Sequence, residues 1–253
     1  MENAHLLTTR IKNRFGFVFC IHLLMAILFL GCEKPALAPV DNLSGVKLNL
    51  FAKVGSVSQP QQGTVDSVRI TNASFVLGSV KLEGAGVDST LDYASLHTQI
   101  VDLDLRQAPV AVDTFAIPPG VYKEVELSID KLEPGNPDEE PLINARPEFS
   151  NASVLIQGIV YIKGIGEPFT FTTDIDRDME IELTPLLTVP TFEVGAPAIG
   201  TKISIVVDTS LWFVDDAGVW LDPRDEANKS AIENGVQASL EAFEDDDENG
   251  VVD

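Results

Sequence analysis

The chain has 253 residues, with 39 Asp and Glu against 17 Lys and Arg, and a formal net charge of −22. That length accommodates one large all-β domain or two small ones, with ample material for a core. The acidic balance excludes nucleic-acid binding, because neutralising a phosphate backbone needs clustered Lys and Arg.

The N-terminus reads as an address. Arg10, Lys12 and Arg14 form a positive head, and Phe15 to Leu30 follow without a charge, broken only by His22. The run is short for a bilayer span, which needs about 20 apolar residues, and fits the apolar part of a secretory signal. It closes on Leu28-Phe29-Leu30-Gly31-Cys32, which resembles the bacterial lipobox, with Phe29 where Leu is usual. The resemblance implies that residues 1–31 are a signal peptide and that Cys32 becomes the lipid-bearing N-terminus. The membrane is then a partner through that lipid, in the bacterial cell envelope, at the outer membrane or cell surface rather than the inner membrane. The alternative is an uncleaved N-terminal anchor helix.

Processing would discard Cys20 and acylate Cys32, which leaves no disulfide in the exported chain. The fold must then be held by its core, by bound ions, or by both. His97 would be the only histidine left, which excludes multi-histidine zinc sites, and no thiol remains as a nucleophile.

Residues 32–45, with Pro35 and Pro39 and no apolar periodicity, read as a tether. From Val46 the pattern becomes that of strands. Val46, Leu48, Leu50 and Ala52 alternate with Lys47, Asn49 and Phe51, a period of two with one large apolar residue on the outer face. Further strands are predicted at Val65–Leu82, Gln99–Leu105, Val110–Ile117, Val121–Ile129, Ser153–Lys163, Pro168–Ile175, Asp178–Leu183 and Thr201–Phe213. Ser58–Gly63, Gly84–Thr90 and Pro118–Gly120 separate them as turns. Lys131 to Ser150, with four prolines and Asp138-Glu139-Glu140, reads as a long charged loop. Short strands, frequent turns and no helical pattern before residue 222 predict an antiparallel β-sandwich over residues 46–213.

Within it, Ala116-Ile117-Pro118-Pro119-Gly120-Val121-Tyr122, followed by Val125, Leu127 and Ile129, resembles a corner found in secreted bacterial β-sandwich domains. These include an uncharacterised class of bacterial β-sandwich lipoproteins. The resemblance implies an immunoglobulin- or transthyretin-like outline, an envelope location and Tyr122 packed at the sheet edge, and it implies no activity.

Residues 214–253 differ. Trp212, Phe213 and Trp220 flank the turn Asp215-Asp216-Ala217-Gly218 as a hairpin. Asp222-Pro223 then predicts a helix start, and Ile232, Val236, Leu240 and Phe243 recur as one apolar helix face. Immediately after comes Asp245-Asp246-Asp247-Glu248-Asn249-Gly250-Val251-Val252-Asp253. Its spacing resembles the first nine positions of an EF-hand calcium loop, and equally the loops of dockerin and thrombospondin type 3 modules. Calcium wants six to eight oxygens, so side chains of Asp245, Asp247 and Asn249, the Val251 carbonyl and Asp253 are its candidate ligands, with Gly250 at the sharp turn. The bidentate Glu of position 12 and an exiting helix are absent, so the expected affinity is weak, roughly 10⁻⁴ to 10⁻³ M. The competing reading is an acidic tail that adds only solubility.

Other signals have duller readings. Asp174, Asp176, Asp178, Glu180 and Glu182 alternate with apolar residues and Arg177, as a solvated strand face would; a second cation site or a docking face for a basic partner is the alternative. Asp208-Thr209-Ser210 lacks the second copy that an aspartic-protease loop requires and reads as a strand end. His97 reads as a surface or turn residue, with no nucleophile elbow in the chain. The expected function is therefore a lipid-anchored, non-enzymatic envelope or cell-surface binding protein with a structural calcium site. The alternatives are a carbohydrate-binding module or adhesin-like subunit using Trp212 and Trp220, and a carboxylate-dependent hydrolase.

Overall fold

Alternating apolar side chains become strands throughout the computed structural model, which describes residues 43–54, 64–86, 92–191 and 199–252. The signal segment, Cys32, almost all of the tether and the turn Ser58–Gly63 lie outside the described residues. The strands are β1 (Ser44–Lys53), β2 (Ser67–Gly84), β3 (Tyr93–Asp102), β4 (Val110–Ile117), β5 (Gly120–Ile129), β6 (Val154–Ile162), β7 (Ile165–Thr173), β8 (Arg177–Val189), β9 (Ile199–Asp208) and β10 (Leu240–Glu244). Among the described residues two helices accompany them, α1 (Glu140–Ala145) and α2 (Lys229–Gln237).

The expected antiparallel sandwich gives way to one mixed sheet, curled into a half-barrel, with strand order β4-β1-β9-β10-β8-β5-β2-β6-β7. β3 pairs with β2 off this path. β1 runs parallel to β9, with Asn49 opposite Ser204, and β10 meets β8 in parallel at Ala242 and Leu183. A period of two reports which face a strand buries and carries no information on the direction of its neighbours. The curl brings the β4 edge beside β3, where side chains bridge the two strands. Gln99 donates to the Val112 carbonyl at 2.9 Å, Ser95 to Asp113 at 2.7 Å, and Tyr93 stacks on Phe115.

The inner face holds the main core, including Val46, Leu48, Phe75, Val125, Ile181 and Ile205. The connection from β9 to β10 plugs it. Trp212 is fully buried edge-on to Phe75, Phe213 stands edge-on to Phe169 and Phe171, and Ile232 and Val236 of α2 close the layer.

Three further expectations are corrected. The helix predicted from Asp222 to Phe243 is only Lys229–Gln237; Asp222 instead turns back on Arg224, and Leu240 and Phe243 lie on β10. The spacing of four, four and three spans a helix and then a strand: Ile232, Val236 and Leu240 meet the main core, whereas Phe243 lies on the opposite face of the sheet. The charged stretch Lys131–Ser150 contains α1 and a short 3-10 turn, whose Leu142, Ile143 and Phe149 cover Val76 and Leu155 on the outer face of β2 and β6. Tyr122 sits in the middle of the sheet, since β5 lies between β8 and β2; it is fully buried and donates to the Pro118 carbonyl at 2.7 Å. Burial, with Asp92 nearby, pushes its phenol up to about 12. No described helix is long and apolar enough to cross a membrane.

Candidate functional site

The outer face of β1, β9 and β10 forms a floor. The parallel pair sets Lys47 beside Lys202, Asn49 beside Ser204 and Phe51 beside Val206, and the antiparallel pair sets Phe243 beside Ser204 and Glu241 beside Val206. Phe51, Val206 and Phe243 make a small buried cluster separate from the main core. They are buried because the chain after β10 turns back over them. Glu248 and Gly250 adopt left-handed backbone with φ of 57° and 75°, and a Cβ on Gly250 would come within 3.2 Å of the Phe51 ring.

Asp245 is the hub of that turn. Its side chain is fully buried, and its carboxylate accepts from Ser204 Oγ at 2.6 Å, from the Asn249 amide at 3.0 Å and from the Gly250 amide at 2.9 Å. Burial alone would raise its pKa; the hydrogen bonds from Ser204, Gly250 and Asn249 outweigh it and hold the group below the ordinary aspartate value. Glu248 is pinned alongside, 2.5 Å from Lys47 Nζ and accepting from Asn49 Nδ2 at 3.1 Å, and both contacts hold its carboxyl low. Lys202 Nζ donates to the Asp246 carbonyl at 2.5 Å and lies 3.9 Å from Glu248. Asn49 is fully buried, and its Oδ1 has no partner among the described residues.

Four of the five calcium ligands expected from the sequence, Asp245, Asp247, Asn249 and Val251, therefore lie on an ordered turn, entered from strand β10 and not from a helix. Asn249 Nδ2 donates to Asp247 at 2.8 Å, and Asn249 Oδ1 accepts from the Val251 amide at 2.7 Å. These internal bonds, with Lys47 and Lys202 as counter-charges, satisfy much of the oxygen that a cation would take. Asp245 and Asp247 retain acceptor capacity, since a carboxylate offers about four lone-pair sites. Asp253 lies outside the described residues, among which no group of three or more His, Cys, Asp or Glu gathers as a metal cluster.

A cavity of about 440 Å³ opens between this turn and the floor, lined by Phe51, Val206, Phe243, Asn249, Val251 and Val252 among others. Sequence reasoning missed this arrangement, including Ser204, Lys47, Asn49 and Lys202 as the receptors of the turn. One signal pointed to it: Phe51, an outward-facing aromatic on an otherwise polar strand face, needs a cover.

The tryptophans are not brought together as a sugar platform. Trp212 is completely buried and donates to Ser239 Oγ at 2.9 Å, which leaves no ring face for a sugar. Trp220 is half-buried against the core, pairs through its backbone with Val214, and lines a smaller cavity of about 200 Å³ with Val54, Leu105 and Phe213. Asp208 closes β9 and caps the following turn through Ser210, and His97 is exposed on β3. Of the five alternating carboxylates, Asp178, Glu180 and Glu182 lie exposed on β8, while Asp174 and Asp176 precede it.

No family model matches this chain, and no curated protein or solved structure is significantly similar to it.

Proposed function

We propose that the protein is a lipid-anchored, non-enzymatic binding protein of the bacterial envelope, held by lipid on Cys32, whose C-terminal turn takes calcium weakly. The observation that carries the reading is the turn over β1 and β9. A segment whose competing sequence reading is an acidic tail is folded around buried Asp245 and walls the cavity over Phe51 and Phe243. Calcium would reinforce a turn whose own hydrogen bonds already form it, through Asp245, Asp247, Asn249 and the Val251 carbonyl, with Asp253 as a further ligand. Such an ion would hold the wall of the cavity in place, where weak affinity suffices.

Two measurements test this. Cys32→Ala should abolish incorporation of labelled fatty acid and release the protein from the membrane fraction. Thermal unfolding should show a higher midpoint in millimolar calcium than in chelator, and Asp247→Ala, an exposed position, should remove that difference while lowering the midpoint in chelator only slightly, through the lost bond from Asn249. An unchanged midpoint in calcium, with no heat of binding, reduces the loop to a metal-free turn; persistent membrane attachment in Cys32→Ala rejects the anchor.

A further inference from the structure

The cavity between the C-terminal turn and the floor has a neighbour. A second hollow of about 330 Å³ follows the junction of β10 and β8 and is lined by Glu180, Glu182, Thr184, Glu241, Phe243 and Val252. The two hollows share Glu241, Phe243 and Val252 as a common wall. The second hollow lies where β10 and β8 share a single partnered pair, Ala242 and Leu183. The floor is apolar, from Phe51, Val206 and Phe243, and Val251 and Val252 stand 62 % and 47 % exposed at its edge.

The rim is acidic and uncompensated. Glu180, Glu182 and Glu241 are exposed, and none has a basic partner among the described residues. The lysines of the floor and of the strands beyond β5 are committed elsewhere: Lys47 to Glu248, Lys53 to Asp208, Lys202 to the Asp246 carbonyl, Lys81 to Glu126 and Lys123 to Glu83. Across β5, Glu124 faces Glu182 and Glu126 faces Glu180, and Lys81 pairs with Glu126, so the uncompensated charge is that of the β8 and β10 carboxylates themselves.

We propose that this paired groove binds a cationic, extended peptide segment of a partner protein, with apolar side chains over Phe51 and Phe243 and basic side chains against Glu180, Glu182 and Glu241. The proposal deepens the binding-protein reading and rests on it. Charge complementarity selects the partner: an apolar floor alone would accept any hydrophobic segment, whereas three unpaired carboxylates repel acidic ones and steer basic ones. Alternation of the peptide side chains matches the geometry, since an extended chain sends successive side chains to opposite sides and can seat one set while the other meets the rim.

The test uses the full chain and a fluorescent short peptide of alternating lysine and valine, followed by anisotropy at low and at elevated salt. Binding should weaken as salt screens the rim. Glu180→Gln/Glu182→Gln/Glu241→Gln should weaken it on the order of tenfold or more. A charge-matched control, Glu133→Gln/Asp138→Asn/Glu140→Gln, should leave it unchanged. Val252→Ser should weaken it at constant charge, and a peptide of alternating lysine and serine should bind less well. Equal losses in the two triple variants would show general attraction to an acidic protein and overturn the proposal. So would a peptide affinity that stays the same in the rim variant. Neither result touches lipid attachment at Cys32 or the calcium dependence of melting, so failure here is separable from failure of the broader reading.

Discussion

Ser204 on β9 donates a 2.6 Å hydrogen bond to the buried carboxylate of Asp245, joining the floor of the outer face to the turn that covers it. The two residues are 41 apart in sequence, and the bond meets the same carboxylate that accepts the Asn249 and Gly250 amides. Removing the carboxylate leaves a buried hydroxyl and two amides without their acceptor. Asp245→Ala should destabilise the protein by about 3 kcal/mol and Ser204→Ala by about 1–2 kcal/mol, measured by denaturant unfolding in chelator. The double variant should lose less than the sum of the two, because both break the same bond.

The same hub makes stability depend on acid. Asp245 and Glu248 have folded pKa values below their ordinary values of 3.8 and 4.5. Their contribution is complete above those ordinary values and is lost as pH falls through the lower folded ones. Unfolding free energy should therefore drop as the pH is lowered below about 4.5, and the drop should be shallower in Asp245→Asn, measured by denaturant titration at successive pH values.

Tyr122 sets an alkaline limit. Its phenol is raised to about 12, so the unfolded chain ionises first, and stability is lost progressively from the ordinary value of 10.0 upward until the folded pKa is passed. Tyr122→Phe should cost about 1 kcal/mol at neutral pH, through the lost bond to the Pro118 carbonyl, and should flatten the alkaline limb.

The two tryptophans should behave differently. Trp212→Ala empties a fully buried site against Phe75 and should cost about 3–5 kcal/mol, whereas half-buried Trp220→Ala should cost about 1–2 kcal/mol. Loss of glycan binding in Trp212→Ala without loss of stability would contradict the placement of that ring.

Gly235 distinguishes helix propensity from packing. In an exposed helix, Gly→Ala gains about 1 kcal/mol. Here the added Cβ would lie 2.5 Å from the Leu211 carbonyl oxygen and 3.1 Å from that of Trp212, both backbone atoms. Gly235→Ala should therefore destabilise, by about 1–3 kcal/mol net, in the same unfolding assay.

Much of the strand content is legible in the sequence, because half-buried strands alternate: Val110–Ile117 is bounded as its pattern indicates, and Val46, Leu48 and Leu50 face the core as expected. Pairing is not legible. Nothing in Val46–Ala52 distinguishes a parallel partner on β9 from an antiparallel one on β4, and the strand has both. The C-terminal region misleads for a related reason. Ile232, Val236, Leu240 and Phe243 keep a helical spacing, yet the helix stops at Gln237 with Ala238 as its cap, and Ser239 just beyond it bonds through its Oγ to the Val236 carbonyl and to the Trp212 indole. The last two residues then join the sheet. At the candidate site, the turn-forming residues Asp245, Asn249 and Gly250 stand out locally, while their receptors Ser204, Lys47 and Asn49 are distant in sequence and ordinary in type.

Amide hydrogen exchange of Asn249 and Gly250, followed by NMR on the full chain in chelator, tests most directly whether the C-terminal turn is a built part of the fold. Both amides donate to Asp245, so they should be protected without calcium and lose that protection in Asp245→Ala, while β1 amides stay protected. Exchange of both at the rate of an unstructured tail in the unaltered protein would contradict the latched turn, and with it the wall of the groove over Phe51 and Phe243.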